Sequence, residues 1–324
     1  MYPTKERKNR PRILRLAVLC SLTVQNTALV LLLKYSYRDS AQQYSTASVV
    51  ACSEVTKLLV SSALLLNLDG STALRSAITG LAREGAKLAL PSVLYTVQNN
   101  LLFHAVRMLD PMVYIVWSQC KVLWSAFFGV LLLRAHITCR QVGSLFLLVY
   151  GMILVQSQQE FKSDVPVVEY EDSSRVGILC VVTAGLTSGF AGAYLERIYT
   201  VYTQDTQPYS VWFRNVQLAI FSVPLALLLL FIEARRELVI RHPFTGFDSV
   251  VIGIIALQAV GGLIIAAVMR YATNVLKCFA VSLSICNCAF ISSFIIHREG
   301  QVLSRNQFAG IVIVIISTFM HGTR

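Results

Sequence analysis

The chain has 324 residues, 55% of them hydrophobic and only 14% charged, with a mean hydropathy of +0.62. A soluble domain carries roughly 25% charged residues, so the composition excludes an ordinary soluble enzyme. The net charge of +11 does not mark a nucleic-acid partner, because much of it is concentrated ahead of the first apolar run.

The apolar residues fall in blocks of about 20, the length that crosses a ~30 Å hydrocarbon core. In chain order they predict about ten spans: 13–34, 45–67, 87–106, 112–133, 138–157, 174–197, 209–232, 248–270, 274–296 and 304–321. The third, sixth and ninth carry polar residues. The loops are short and leave no room for a soluble catalytic domain. The fold class expected is an all-α polytopic membrane protein embedded in a lipid bilayer.

Lys5, Arg7, Lys8, Arg10, Arg12 and Arg15 precede the first span. Positive charge collects on the cytoplasmic side of membranes, so the N-terminus is expected in the cytosol. Ten spans return the C-terminus to the same side. The first apolar run is too long for a signal peptide, contains Gln25 and Asn26, and lacks a small-x-small cleavage site, so it reads as an uncleaved helix. The loop 158–174, with Glu160, Asp164, Glu169, Glu171 and Asp172 against Lys162, is then lumenal. Arg235, Arg236 and Arg241 run against this topology. Most of the eight cysteines lie inside predicted spans, and no spacing suits zinc. Buried thiols are expected, with no metal and no cofactor.

The organisation is one transmembrane domain in two halves: residues 1–157, an acidic linker 158–173, and residues 174–324. Lys121 lies in the fourth span of the first half and Lys277 in the fourth span of the second. The second span carries Glu54 and Lys57; its counterpart carries Arg214 and Asn215. Five is an odd number, so the second half enters the membrane inverted, as in many secondary transporters whose sites lie at the repeat interface.

A charge inside a span costs at least ~2.5–3.5 kcal/mol on insertion scales. Two lysines at matching places therefore suggest a use, and the simplest is neutralising an anionic cargo. Helical spacing brings Tyr114, Trp117, Ser118 and Lys121 onto one face, and Thr273, Lys277, Ser284 and Asn287 close to one stripe. Tyr95 lies one turn from Gln98 and Asn99; Ser210, Arg214 and Gln217 align. Asn100, Gln217 and Ser284, taken singly, are better read as hydrogen-bonding glue between helices. Lysine offers three donors on a compact charge, suited to phosphoryl oxygens. Tyr95, Tyr114 and Trp117 suit stacking on a planar base, and Gln98-Asn99-Asn100 its polar edge. Thr187, Ser188 and Tyr194 are candidate sugar partners.

Glu54 and Lys57, three apart, read equally as an intrahelical ion pair or as groups beside the cargo path. Glu196 and Arg197 end the sixth span, where an interfacial position explains them. Gly185, Gly189 and Gly192 form a smooth face explained by close helix packing or by backbone exposed to cargo. Gly261-Gly262 admits cargo or a neighbouring helix.

Several segments resemble the nucleotide-sugar transporters of the Golgi and endoplasmic reticulum, within the drug/metabolite transporter superfamily. They are Pro91-Ser-Val-Leu-Tyr-Thr-Val-Gln-Asn-Asn100, Ser188-Gly-Phe-Ala-Gly-Ala-Tyr-Leu-Glu-Arg197, Val211-Trp-Phe-Arg-Asn215, Gln258-Ala-Val-Gly-Gly262 and Tyr271-Ala-Thr-Asn-Val-Leu-Lys-Cys-Phe-Ala280. The branch they are most similar to carries UDP-galactose, UDP-N-acetylglucosamine and CMP-sialic acid. The resemblance implies a Golgi-membrane antiporter exchanging nucleotide sugar for nucleoside monophosphate. It implies that Tyr95, Gln98, Asn99 and Tyr114 surround the nucleotide and that Lys121 and Lys277 hold its phosphates. It further implies that Ser188, Gly189, Gly192, Glu196, Arg214 and Asn215 line or stabilise the cavity. Residues 258–267 and 281–285 lean toward UDP-sugar members, with Ile265 and Ala266 apolar where a CMP-sialic acid carrier tends to have hydroxyls. The family's Tyr-Gln-Leu-Lys reads Ser118-Gln-Cys-Lys121 here, and its Asp-Asn-Ile-Leu-Lys-Gly reads Thr273-Asn-Val-Leu-Lys-Cys278. These departures bear on sugar specificity, and they keep a non-transporting scaffold as an alternative beside CMP-sialic acid exchange. A homo-oligomer, or a complex with a glycosyltransferase, is a further expectation. An amine exporter would favour an acidic or apolar cavity, and an intramembrane glycosyltransferase would need a membrane-face acid or base and a metal or nucleophile, where the spans offer only Glu54 and Glu196 as acids and no Asp-x-Asp or His-rich motif.

Overall fold

The computed structural model describes residues 12–38, 44–81, 86–109, 111–156, 171–205, 211–237, 244–295 and 304–322. Lys5, Arg7, Lys8, Arg10, Arg241 and most of the acidic linker lie outside them. Among the described residues there are eleven α-helices and no strand. They are α1 (Arg12–Arg38), α2 (Thr46–Thr79), α3 (Ala86–Met108), α4 (Pro111–Ser118), α5 (Cys120–Leu133), α6 (Cys139–Gln156), α7 (Glu171–Asp205), α8 (Val211–Glu237), α9 (Ser249–Tyr271), α10 (Asn274–Ile295) and α11 (Arg305–Gly322). Eight spans within them are long and apolar enough to cross a membrane, which makes this a multi-pass membrane protein. The third and last predicted spans form helices, α3 and α11, but are not among those eight.

Three helices differ from their predicted spans for local reasons. The fourth span divides at Gln119 into α4 and α5. There the Gln119 amide donates to the Val116 carbonyl at 3.3 Å and the Val122 amide to the Gln119 carbonyl at 3.1 Å. This three-residue hydrogen-bond spacing tightens one turn and shifts the faces on either side. α2 outruns its span by a dozen residues after a break at Gly70, whose φ of 82° and ψ of 175° only glycine adopts readily. The continuation buries Ala73 and Ala77 with Phe213 and Val216 of α8. α7 also extends well past its predicted end at 197.

The helix starts carry recognisable caps. Asp248 accepts the Val251 amide at 2.8 Å and starts α9. Two reciprocal capping boxes open the fifth helix of each half. Thr138 and Gln141 exchange bonds at 3.1 and 3.4 Å ahead of α6, and Ser304 and Gln307 do so at 3.2 Å ahead of α11.

The chain forms two compact units, and these are not the sequence halves. The first comprises residues 1–93 and 198–273, the second 94–197 and 274–324. In the first unit α2 packs on α8, and α9 on both α1 and α2. In the second, α6 packs on α11, α5 on α10, and α3 meets α7 through Ala105, Leu109 and Val181. Counted from the start of each sequence half, the second span thus pairs with the second, the fourth with the fourth and the fifth with the fifth. α6 crosses α11 closely. A Cβ on Gly310 would stand 2.8 Å from both the Gly151 carbonyl oxygen and the Val155 nitrogen, so glycine there permits backbone-to-backbone approach. Around it Val122, Leu148, Met152, Val155, Phe279 and Val314 form the core of this unit.

Candidate functional site: first-turn lysines beside a glycine face

Of sixteen candidate site residues, ten belong to the second unit: Tyr95, Gln98, Asn99, Tyr114, Lys121, Ser188, Gly189, Gly192, Glu196 and Lys277. The break at Gln119 brings its two lysines into correspondence. Lys121 is the second residue of α5 and Lys277 the fourth of α10, so each stands in the first turn of its helix. Among the described residues neither has a hydrogen-bond or ion-pair partner. Lys121 is exposed and Lys277 half-buried. A cation at a helix N-terminus faces the positive end of the macrodipole, so this is charge held where it is intrinsically disfavoured.

The α7 glycines fix where those first turns sit. A Cβ on Gly185 would approach the Lys121 backbone at 3.5 Å, and one on Gly189 would lie 2.8 Å from the Trp124 carbonyl carbon and 2.9 Å from the Ser125 nitrogen. One on Gly192 would collide with the side-chain amide of Asn274, the first residue of α10. Packing is therefore their role in this conformation, and α7 acts as the rail on which both lysine-bearing turns rest. Ser188 is half-buried on the same helix. Thr187 returns its hydroxyl to the carbonyls of Thr183 and Ala184 at 3.0 Å. Tyr194 stacks on Phe190 at 6.0 Å, and Phe190 meets Phe128 of α5 edge-on at 5.4 Å.

Glu196 has a role that its place in the sequence does not reveal. It is 3% exposed, and its Oε2 accepts the Asn274 backbone N–H at 2.7 Å. A carboxylate from α7 thereby caps α10 and places negative charge at the end where the helix dipole and Lys277 are both positive. Asn274 itself is 2% exposed, and neither polar atom of its side chain has a partner. Gln98, on α3, is half-buried, and its buried Oε1 also lacks one. Tyr95 is half-buried on the same helix. Asn99 lies in α3, but its side chain is outside the described residues. Tyr114 packs against the Ala105–Leu109–Val181 cluster. Trp117 is exposed and Ser118 turns back to the Ile115 carbonyl at 2.8 Å, so tyrosine and lysine serve different surroundings on either side of the Gln119 turn.

The other six belong to the first unit. Glu54 and Lys57 form an ion pair at 2.5 Å on α2, and the Ser222 hydroxyl of α8 donates to Glu54. The stem of Lys57 lies across Gly262, where a Cβ would meet its Cδ at 2.7 Å. Gly261 faces another way. It accommodates Gln25 of α1, whose Nε2 donates to the Leu257 carbonyl at 2.8 Å. The two adjacent glycines thus admit two different helices. Arg214 donates to Gln217 at 3.0 Å, and Gln217 to the Ala77 carbonyl at 3.3 Å in the last turn of α2. Asn215 accepts from the Tyr199 hydroxyl at 3.4 Å, leaving its buried Nδ2 without a partner.

Of the intramembrane lysines singled out, Lys57 carries its counter-charge with it and Lys121 and Lys277 do not. No cluster of three or more metal-ligating side chains occurs among the described residues. The nucleotide-sugar transporter family model matches residues 10–322. A UDP-N-acetylglucosamine/UDP-N-acetylgalactosamine transporter of Caenorhabditis elegans is 36% identical over 95% of this chain and 93% of that protein. The human UDP-N-acetylglucosamine transporter is 36% identical over 93% of each, and the human UDP-galactose translocator 35% identical over 85% of this chain and 69% of its own. A solved crystal structure with 11% identity aligns at a TM-score of 0.67 over 96% of this chain and 98% of the other, a likeness of fold. The chain belongs to the nucleotide-sugar transporter family, whose members are transporters rather than enzymes.

Proposed function

We propose that this protein is a Golgi antiporter with both termini in the cytosol. It exchanges a cytosolic UDP-sugar, UDP-N-acetylglucosamine or UDP-galactose, for lumenal UMP within a single transporter domain. The observation that carries the reading is the pair of first-turn lysines without counter-charges, in contrast to Lys57, which is paired with Glu54. Exposed lysine within a span is tolerable only where it faces water or an anion rather than lipid. Phosphoryl oxygens meet both conditions, since a phosphate at a helix N-terminus also finds free N–H groups and the favourable end of the dipole. Tyr95, Gln98, Asn99 and Tyr114 serve the base and Ser188 the sugar, while Gly189 and Gly192 seat the first turns of α5 and α10 on α7. The names of the relatives, all carriers of UDP-sugars, support uracil as the base.

The electrostatics favour antiport. An empty carrier must reorient with two unpaired cations in low dielectric, which raises the barrier; a bound phosphate removes that cost. The test is uptake of labelled UDP-N-acetylglucosamine, UDP-galactose and CMP-sialic acid into proteoliposomes preloaded with UMP, CMP or nothing. Uptake of a UDP-sugar that depends on internal UMP is the expected result. Lys121→Ala and Lys277→Ala should each abolish exchange while the purified variants keep a cooperative melt. Exchange near the normal rate in either would refute the role of that lysine, and CMP-dependent uptake would reassign the cargo.

A further inference from the structure

The side chain of Asn274 is buried, yet neither its Oδ1 nor its Nδ2 finds a partner. An amide sealed this way is costly unless another state of the protein satisfies it. Its position suggests which state. Asn274 opens α10, stands one turn before Lys277 on the same face, and is covered by Gly192, whose missing side chain leaves the space the amide occupies. The backbone N–H of the same residue is held by Glu196. The α10 N-terminus therefore brings together a helix dipole, an unpaired ammonium, and an unused amide that lies against the α7 glycine.

We propose that Asn274 is a cargo-contacting residue, its amide sealed against Gly192 in this conformation and released in the loaded carrier to donate from Nδ2 to a phosphoryl oxygen held by Lys277. This rests on the reading of Lys277 as a phosphate ligand and adds to it a second ligand and a movement. As α10 turns off Gly192, the amide exchanges a dry contact for the anion, so binding energy is coupled to displacement of the first turn of α10 along α7. Glu196 is a positioning residue here: its bond to the Asn274 N–H keeps the turn on α7 until the anion competes for that helix end.

The experiment compares Asn274→Ala, Gly192→Ala and the double variant Gly192→Ala/Asn274→Ala with Lys277→Ala. Each is assayed for UMP/UDP-N-acetylglucosamine exchange in proteoliposomes and for thermal unfolding with and without UMP. Asn274→Ala is expected to melt at or above the wild-type temperature, because an unsatisfied amide has gone. Its KM should rise about tenfold or more, as loss of one hydrogen bond to a charged group predicts, and UMP should stabilise it less. Gly192→Ala is expected to melt lower, since its Cβ collides with Asn274. The double variant removes the collision and should recover the melt but not the KM. A double variant that recovers exchange overturns the proposal, as does Asn274→Ala with a wild-type KM beside an inactive Lys277→Ala. If Lys277→Ala itself exchanges normally, the underlying site reading fails instead, and this inference fails with it.

Discussion

Gly189→Ala separates packing from cargo contact at the residue where the two readings differ most. A Cβ there would lie 2.8 Å from the Trp124 carbonyl carbon and 2.9 Å from the Ser125 nitrogen, both backbone atoms of α5. Ordinary contact begins at 3.4 Å, so the α5 backbone has to withdraw by roughly half an ångström, and no rotamer change can relieve it. Overpacking of this kind costs ~1–3 kcal/mol. Set against it is the ~0.5–1 kcal/mol that replacing a mid-helix glycine by alanine contributes. The net expectation is a loss of up to about 2 kcal/mol. Gly143→Ala in α6 is the control, because a Cβ there meets nothing within 4 Å, and it should be neutral or slightly stabilising. The assay is thermal unfolding of detergent-purified protein followed by exchange kinetics. Gly189→Ala should melt below Gly143→Ala and lose exchange with the displaced Lys121 turn. If the two melt together and only KM changes in Gly189→Ala, the glycine contacts cargo and the packing account is wrong.

Further predictions concern the first unit and the α10 cap. Glu54→Ala leaves the Lys57 ammonium without its counter-charge and removes one acceptor of the Ser222 hydroxyl, and for this part-buried pair should destabilise by up to about 3 kcal/mol, the low end for a fully buried one; denaturation of the double variant Glu54→Ala/Lys57→Met should show partial recovery. Gly70→Ala forces a side chain into a φ of 82° and should cost ~1–3 kcal/mol although nothing crowds the site, and near-UV circular dichroism melts would reveal it. Glu196→Ala should lower the melting temperature more than Glu196→Gln, because glutamine keeps an acceptor for the Asn274 N–H while alanine leaves that end of α10 uncapped. Equal melts for the two would mean the charge alone matters.

The spans were legible because hydrophobic runs of membrane length have few other uses. Eight of the ten are matched by apolar membrane-length helices, and α3 and α11 are helices too. What the sequence hides falls into two kinds. One is visible in hindsight: Thr138-x-x-Gln141 and Ser304-x-x-Gln307 are capping boxes at equivalent places in the two halves, a repeat signature that apolar patterning overlooks. The other has no local trace. Glu196 reaches a residue 78 positions away, Gln25 lies against Gly261, and Ser222 completes the Glu54–Lys57 pair. Only the packing of distant helices creates these contacts, so Glu196 reads from sequence as an unremarkable span end. Gln119 is similar, since neither proline nor glycine marks the break that aligns the two lysines. The candidate residues themselves were found because polar groups in spans stand out. Their division into paired and unpaired charges required the structure.

The interlaced pairing of the helices constrains how this protein is made. α6 leaves the ribosome with its closest partner, α11, still about 150 residues from synthesis. At ~5–20 residues per second the surface around Gly151 waits for roughly ten to thirty seconds, and α2 waits similarly for α8. Neither half can complete a compact unit by itself, because each unit draws helices from both. Truncation after α10 would therefore harm the first-made half as much as the last, by orphaning α6. Two separately expressed halves, by contrast, would have every incentive to find each other in the bilayer.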